Sequence, residues 1–176
     1  MLFGKHSQNR SGPRPMTLYR FITCWRLEAP IDRVYRALSH PDQWPGWWPG
    51  LVEVEPLARG DRRGIGSRYR YTWRSRLGYR LCFAIRVTRV RPPTLIEAEA
   101  RGDLEGVGRW ELRETEDGTE VRYHWQVRTR RRWMNLLAPL ARPLFTWSHH
   151  AMMRRGALGL AGFLRVRLLT SAPARE

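Results

Sequence analysis

The sequence predicts an α+β domain in which a curved antiparallel sheet of seven strands wraps one long carboxy-terminal helix. Three observations predict it. Seven short segments rich in β-branched and aromatic residues are separated by glycine, proline or EDGT turns. In those segments the aromatic residues alternate with charged ones, so each strand buries one face. Beyond Arg132 the period changes from two to the helical 3.6.

The elements follow in order. Residues 17–28 (TLYRFITCWRLE) read as a first strand. In APIDRVYRALSHP, Pro30 suits a first helical position, Asp32 lies in the first turn and Pro41 enforces a stop, which gives one short helix. PDQWPGWWPG then places Trp44, Trp47 and Trp48 in a turn region. Six more strands are predicted in LVEVEPL, GSRYRYTWRSRL, YRLCFAIRVTRV, TLIEAEAR, GVGRWELRE and TEVRYHWQVRTR. The helical pattern after Arg132 is broken at first by Pro139 and Pro143 and is continuous from about Phe145 to Leu169.

Period two sets Tyr69, Tyr71, Trp73 and Leu77 on one side of their strand and Arg68, Arg70, Arg74 and Arg76 on the other. The same parity turns Leu81, Phe83, Ile85 and Val87 inward, followed by Trp110 and Leu112, then Tyr123, Trp125 and Val127. Together they form one aromatic face too large to stay exposed on a monomer, and the final helix is the element available to cover it. On a helical wheel centred on His149, Phe145, Met152, Met153, Gly156, Gly159, Leu160, Phe163 and Leu164 all fall within about 80°, with Arg154, Arg155 and Arg165 opposite. Gly156 and Gly159 each cost roughly 1 kcal/mol relative to alanine in a helix. That expense fits either close helix-to-sheet packing or space left for a ligand.

A chain of 176 residues is expected to form one domain, residues 16–170, between an amino-terminal tail (1–15) and a carboxy-terminal one (171–176). No apolar run is long enough for a membrane span or a signal peptide, and Cys24 and Cys82 show no metal-ligand spacing. Two free, largely buried thiols and a cytoplasmic location are expected, with no metal and no cofactor. There are 31 arginines and one lysine against 16 acidic residues, a net charge of +16. Residues 59–91 hold eleven arginines and one acid, whereas residues 92–120 hold nine acids and three arginines. Cross-strand pairing of these blocks accounts for part of the imbalance; an acidic partner or a genome-wide codon bias are the other readings.

The order of elements and three stretches, APIDRVYRALSHPDQWPGWWPGL, GDLEGVGRWEL and WMNLLAPLARPLFTWSHHAMMRRGALGL, resemble the START-like (SRPBCC, helix-grip) superfamily, especially its polyketide cyclase/dehydrase branch. The resemblance covers residues 17–169 and implies two short helices after strand 1 and a cavity between sheet and long helix that takes lipids, polyketides or aromatic molecules. Related members carry an Asn-His-Asp triplet where this chain has Ser148, His149 and His150, so only the histidine is kept.

A small hydrophobic ligand is therefore the expected partner, lined by Trp47, Trp48, Tyr69, Tyr71, Trp73, Phe83, Trp110, Tyr123, Trp125, Met152, Gly156 and Phe163. Trp44, Trp47 and Trp48 either plug the end of the core or form a ligand gate or membrane contact. His149, with a cavity tyrosine such as Tyr69, Tyr71 or Tyr123, is the candidate acid/base for an alternative cyclase/dehydratase role. Without that chemistry it is a core histidine. Arg68, Arg70, Arg74, Arg76, Arg130, Arg131 and Arg132 form a candidate surface for an anionic membrane. Nucleic acid fits less well, because the strand aromatics face away from the charged side.

Overall fold

The computed structural model describes residues 18–75, 78–130 and 132–174, and for residues 132–142 the backbone alone. The expected amino-terminal tail, Leu77 and the proposed surface residues Arg76 and Arg131 lie outside the described residues, as does the side chain of Arg132.

The chain runs β1 (Leu18–Leu27), α1 (Ile31–Ser39), a 3-10 turn (Pro41–Gly46), β2 (Leu51–Ala58), β3 (Arg68–Arg74), β4 (Arg80–Arg91), β5 (Leu95–Gly102), β6 (Leu104–Thr115), β7 (Gly118–Thr129), α2 (Arg132–Leu164) and β8 (Leu168–Pro173). All strands join one antiparallel sheet in the order β2-β3-β4-β5-β6-β7-β1-β8. The seven expected strands are present, and an eighth extends the sheet at β1. Pro30 sits one position earlier than expected, as the N-cap of α1, and Pro41 opens the 3-10 turn where α1 has ended.

Registers place the inward residues side by side. Tyr69 pairs with Ile85, Tyr71 with Phe83 and Trp73 with Leu81, while Trp110 pairs with Tyr123 and Gly108 with Trp125. Tyr71, Trp73, Phe83, Trp110, Leu112, Trp125 and Val127 are buried in one core with Phe145, Met153, Leu160 and Leu164 of α2. Arg68, Arg70 and Arg74 are exposed on the opposite face, as period two requires.

Helix α2 differs from expectation at both ends. It is already helical at Arg132, so Pro139 and Pro143 do not break it; a proline removes one donor, and the flanking turns carry the helix past it. It stops at Leu164, five residues before the expected end. Arg165 takes a left-handed φ of 54°, and Arg33 Nη2 donates to the terminal carbonyl of Leu164 at 2.7 Å. The chain then turns back, and residues 168–173, of which the last three were expected as tail, pair with Thr23–Leu27 of β1.

On the outer face the two charge blocks interlock only partly. Arg109 contacts Glu97 and Glu111, Arg70 contacts Glu55 at 2.6 Å, and Arg113 and Arg122 converge on Glu120. Between β3 and β4, however, arginine faces arginine: Arg68 opposes Arg86, and Arg74 opposes Arg80. Cys24 is half-buried, and Cys82 is exposed rather than buried because it falls on this outer parity, opposite Thr72.

Candidate ligand cavity between the sheet and the long helix

A cavity of about 230 Å³ lies between the concave sheet face and α2. Its walls are mainly aromatic. Trp110 and Tyr123 stack at 3.9 Å between ring centroids, Tyr123 continues to Trp125 at 5.8 Å, and Tyr71 stacks on Phe83 at 6.0 Å. Gly108 makes this possible, because a Cβ there would lie 2.8 Å from the Tyr123 hydroxyl and 2.9 Å from the Trp125 ring. Burial holds the phenols of Tyr71 and Tyr123 well above their ordinary pKa, with the neighbouring Tyr123 adding to the effect on Tyr71. Both are therefore neutral hydrogen-bonding groups at pH 7.

Of the residues expected to line the site, Trp48, Tyr69, Tyr71, Trp73, Phe83, Trp110, Tyr123, Trp125, Met152 and His149 all border the cavity. Trp47, Gly156 and Phe163 do not. Phe163 is 49% exposed and stacks from outside on Trp47, at 6.2 Å. The apolar stripe of α2 is narrower than its helical wheel suggests, and Phe163 falls beyond its edge.

The tryptophan turn packs into the core, and Trp44 and Trp48 also border the cavity. Trp44, Trp47 and Trp48 are 8%, 6% and 2% exposed, which excludes three rings lying free in water. Trp44 Nε1 donates to the carbonyl of Ala37 and Trp48 Nε1 to that of Met152, each at 3.1 Å. Trp48 also meets Trp25, Trp44, Trp73 and Trp110 at centroid distances of 5.3–6.2 Å. The two helical glycines serve this turn rather than the sheet or the cavity. A Cβ on Gly156 would enter the Trp48 ring, and one on Gly159 would overlap the carbonyl oxygen of Trp47.

His149 stacks on Phe21 at 4.0 Å with an interplanar angle of 15°, and sits 5.6 Å from His150. Its Nε2 is buried without a hydrogen-bond partner, so the expected Tyr-His pair is not formed through that atom. Burial, with a smaller contribution from His150, lowers its pKa to about 3. The imidazole is therefore neutral across the physiological range.

Trp44, singled out with its neighbours as plug or gate, also borders the cavity, as do residues not proposed for it from sequence, among them Tyr35, Leu38, Ser67, Ser148 and three arginines, Arg63, Arg74 and Arg155. Arg74 has the outer parity of β3 and, as the last residue of that strand, also borders the cavity. Of the surface residues, Arg70 and Arg130 are engaged by Glu55 and Glu105, whereas Arg68 and Arg74 have no ion pair among the described residues. Among the described residues, no helix is long and apolar enough to cross a membrane.

Known folds match this architecture closely. Over 87% of its length the chain superimposes on the di-domain ARO/CYC BexL of the BE-7585A biosynthetic pathway, with a TM-score of 0.67 and 17% identity. It spans about half of BexL (52%) and of the similarly built StfQ of the steffimycin pathway (52%). The Zhui aromatase/cyclase of Streptomyces sp. R1128 gives a TM-score of 0.67 at 16% identity over 86% of this chain and 94% of that one. A Thermus thermophilus protein gives 0.62 at 17% identity over 85% and 99%. These likenesses establish the helix-grip fold. No curated protein matches the chain significantly in sequence. The sequence profile described as polyketide cyclase/dehydrase and lipid transport matches residues 26–161, most of the chain, and the protein belongs to that SRPBCC-type family.

Proposed function

We propose that the protein binds a compact apolar or amphipathic molecule in the cavity between its sheet and α2, as a carrier or sensor. The observation that carries this reading is the cavity itself: about 230 Å³ remain open among tightly stacked rings, where close packing would leave few voids larger than a water molecule. Aromatic walls suit a ring-bearing or acyl body, and the neutral phenols of Tyr71 and Tyr123 supply hydrogen bonds that orient it. The volume lies below the roughly 300–1,000 Å³ of drug-sized ligand pockets, which favours a small ligand.

The cyclase/dehydratase reading has less support. A general base works best with a pKa near the operating pH, and the imidazole of His149, at about 3, is a poor acceptor at neutrality. Its Nε2 is also enclosed by protein rather than engaged by a tyrosine. The similarity to aromatase/cyclases extends to fold, and Ser148 and His150 stand where a carboxylate or amide would assist.

Native mass spectrometry of the purified full chain tests the binding reading. A retained small molecule that is absent from an Ala98→Leu variant, which adds bulk to the cavity wall, is the expected result. An empty wild-type protein that also takes up none of a panel of apolar probes would overturn it.

A further inference from the structure

The charge of the cavity lining is one-sided. In a chain with 16 acidic residues, the described lining contains Arg63, Arg74 and Arg155 and neither aspartate nor glutamate. None of the three guanidinium groups has a carboxylate within ion-pair distance among the described residues. Elsewhere among the described residues some arginines engage an acid, as Arg26, Arg70, Arg109, Arg113, Arg122 and Arg167 do, and others, such as Arg68, do not; what sets these three apart is that they border the cavity and no described acid does.

Two of the three bracket one segment of the rim. The backbone N–H of Arg74 donates to the carbonyl of Gly50 at 2.7 Å, fixing the end of β3 to the tryptophan turn. Trp48 ties the other side of that turn to α2 through Met152 and Gly156, next to Arg155. Pro49, between these anchors, also lines the cavity. Arg74 and Arg155 are both exposed and both border the cavity, so a ligand leaving the aromatic interior along this segment would pass between two cationic residues.

We infer that the cavity selects an anionic amphiphile, an apolar body ending in a carboxylate or phosphate, and that Arg74 and Arg155 receive the anionic group at the rim. This rests on the proposed binding function and narrows it. The guanidinium fork matches the geometry of either anion, and its hydrogen bonds to a charged acceptor are about twice as strong as neutral ones. A neutral ligand of the same shape can accept a hydrogen bond from these residues but lacks the charge–charge attraction and the second acceptor oxygen.

Matched pairs of probes test the inference: 2-naphthoate against 2-naphthamide, and decanoate against decanamide, titrated calorimetrically into the full chain at low salt. At least one acid is expected to bind about tenfold more tightly than its amide. In Arg74→Gln/Arg155→Gln the preference is expected to fall below about threefold, while affinity for the amide, which also reports an intact cavity, stays within about twofold. Arg154→Gln removes a charge from the same helix turn without touching the lining, and is expected to leave the preference intact. If it lowers the preference as much as Arg155→Gln does, only the net charge of the protein is at work and the inference fails. Equal binding of acid and amide overturns the charge selection while leaving the binding function standing; failure of all four probes overturns both. Uptake from phosphatidylglycerol vesicles in place of free acid would identify the anion as a lipid headgroup, and either source satisfies the inference.

Discussion

Trp48 and Gly156 meet so closely that no methyl group fits between them: a Cβ on Gly156 would lie 2.3 Å from the indole. One turn earlier, the same indole donates to the carbonyl of Met152 at 3.1 Å. Three rows of residues distant in sequence, the tryptophan turn, the end of β3 and the middle of α2, are thereby locked around one side of the cavity.

Gly156→Ala is expected to destabilise the protein by about 1–3 kcal/mol, the cost of overpacking a filled core, despite alanine's better helix propensity. Gly159→Ala meets backbone rather than a ring, since its Cβ would fall on the carbonyl oxygen of Trp47, and is expected to cost at least as much. Gly162→Ala is the control. Nothing lies within 4 Å of a Cβ there, so the gain in propensity, about 0.5–1 kcal/mol, is expected to appear as added stability. Urea denaturation of the three variants checks the order.

How much of this was legible in the sequence follows from the range over which each signal acts. Alternation along β3, β4, β6 and β7 assigned the inward aromatics correctly, because a strand's two faces are set by local geometry. The three tryptophans and the two helical glycines were each conspicuous, but that they serve one another was not. Their contact joins residues more than a hundred positions apart, and no periodicity links them. The end of α2 was invisible for a similar reason: Arg165 adopts a left-handed conformation without being glycine, and Leu168–Pro173 becomes a strand only by pairing with β1. Arg63 and Arg155 looked like ordinary solvated charges. The available hint for Arg63 was its neighbour Gly64 in the turn between two strands, where the chain can approach the cavity.

His149 makes the fold sensitive to acid. Its pKa in the folded protein, about 3, lies below the ordinary value of 6.5, so between those limits the unfolded chain binds a proton that the folded one does not. The penalty is absent above pH 6.5 and grows as pH falls, by up to about 1.4 kcal/mol per unit. His149→Phe keeps the stack on Phe21 and removes both the titration and the unpartnered Nε2. The variant is expected to match or exceed wild type at pH 7.5 and to lose less stability at pH 5. Parallel slopes of stability against pH for the two proteins would contradict this assignment.

The opposed arginines on the outer face predict a stabilising charge reversal. Arg86 lies directly across from Arg68, and like charges in that position repel by a few tenths of a kcal/mol. Arg86 also faces Glu99 on β5, whereas Arg68 has only Ala58 on its other side, so Arg68→Glu is the reversal expected to raise stability, by about 0.2–1 kcal/mol at low ionic strength. Most of the gain should vanish in about 0.5 M salt, where screening shortens the reach of exposed charges. Thermal melts at two salt concentrations measure both effects. If the exposed arginines instead serve an anionic membrane, Arg68→Glu will also weaken sedimentation with phosphatidylglycerol vesicles.

The two thiols should differ in rate. Cys82 is exposed on the outer face, while Cys24 is half-buried in β1 and its thiol is pushed up by burial and by the nearby carboxylate of Glu120. The thiolate is the reactive form, so a disulfide reagent such as dithionitrobenzoate at pH 8 is expected to modify Cys82 at least about tenfold faster. Cys82→Ser should remove the fast phase and leave the slow one. Because β1 pairs with β8, loosening that edge exposes Cys24: a truncation ending at Leu168 is expected to accelerate its reaction while the folded core persists. An unchanged Cys24 rate in the truncated chain would show that β8 does not protect that edge.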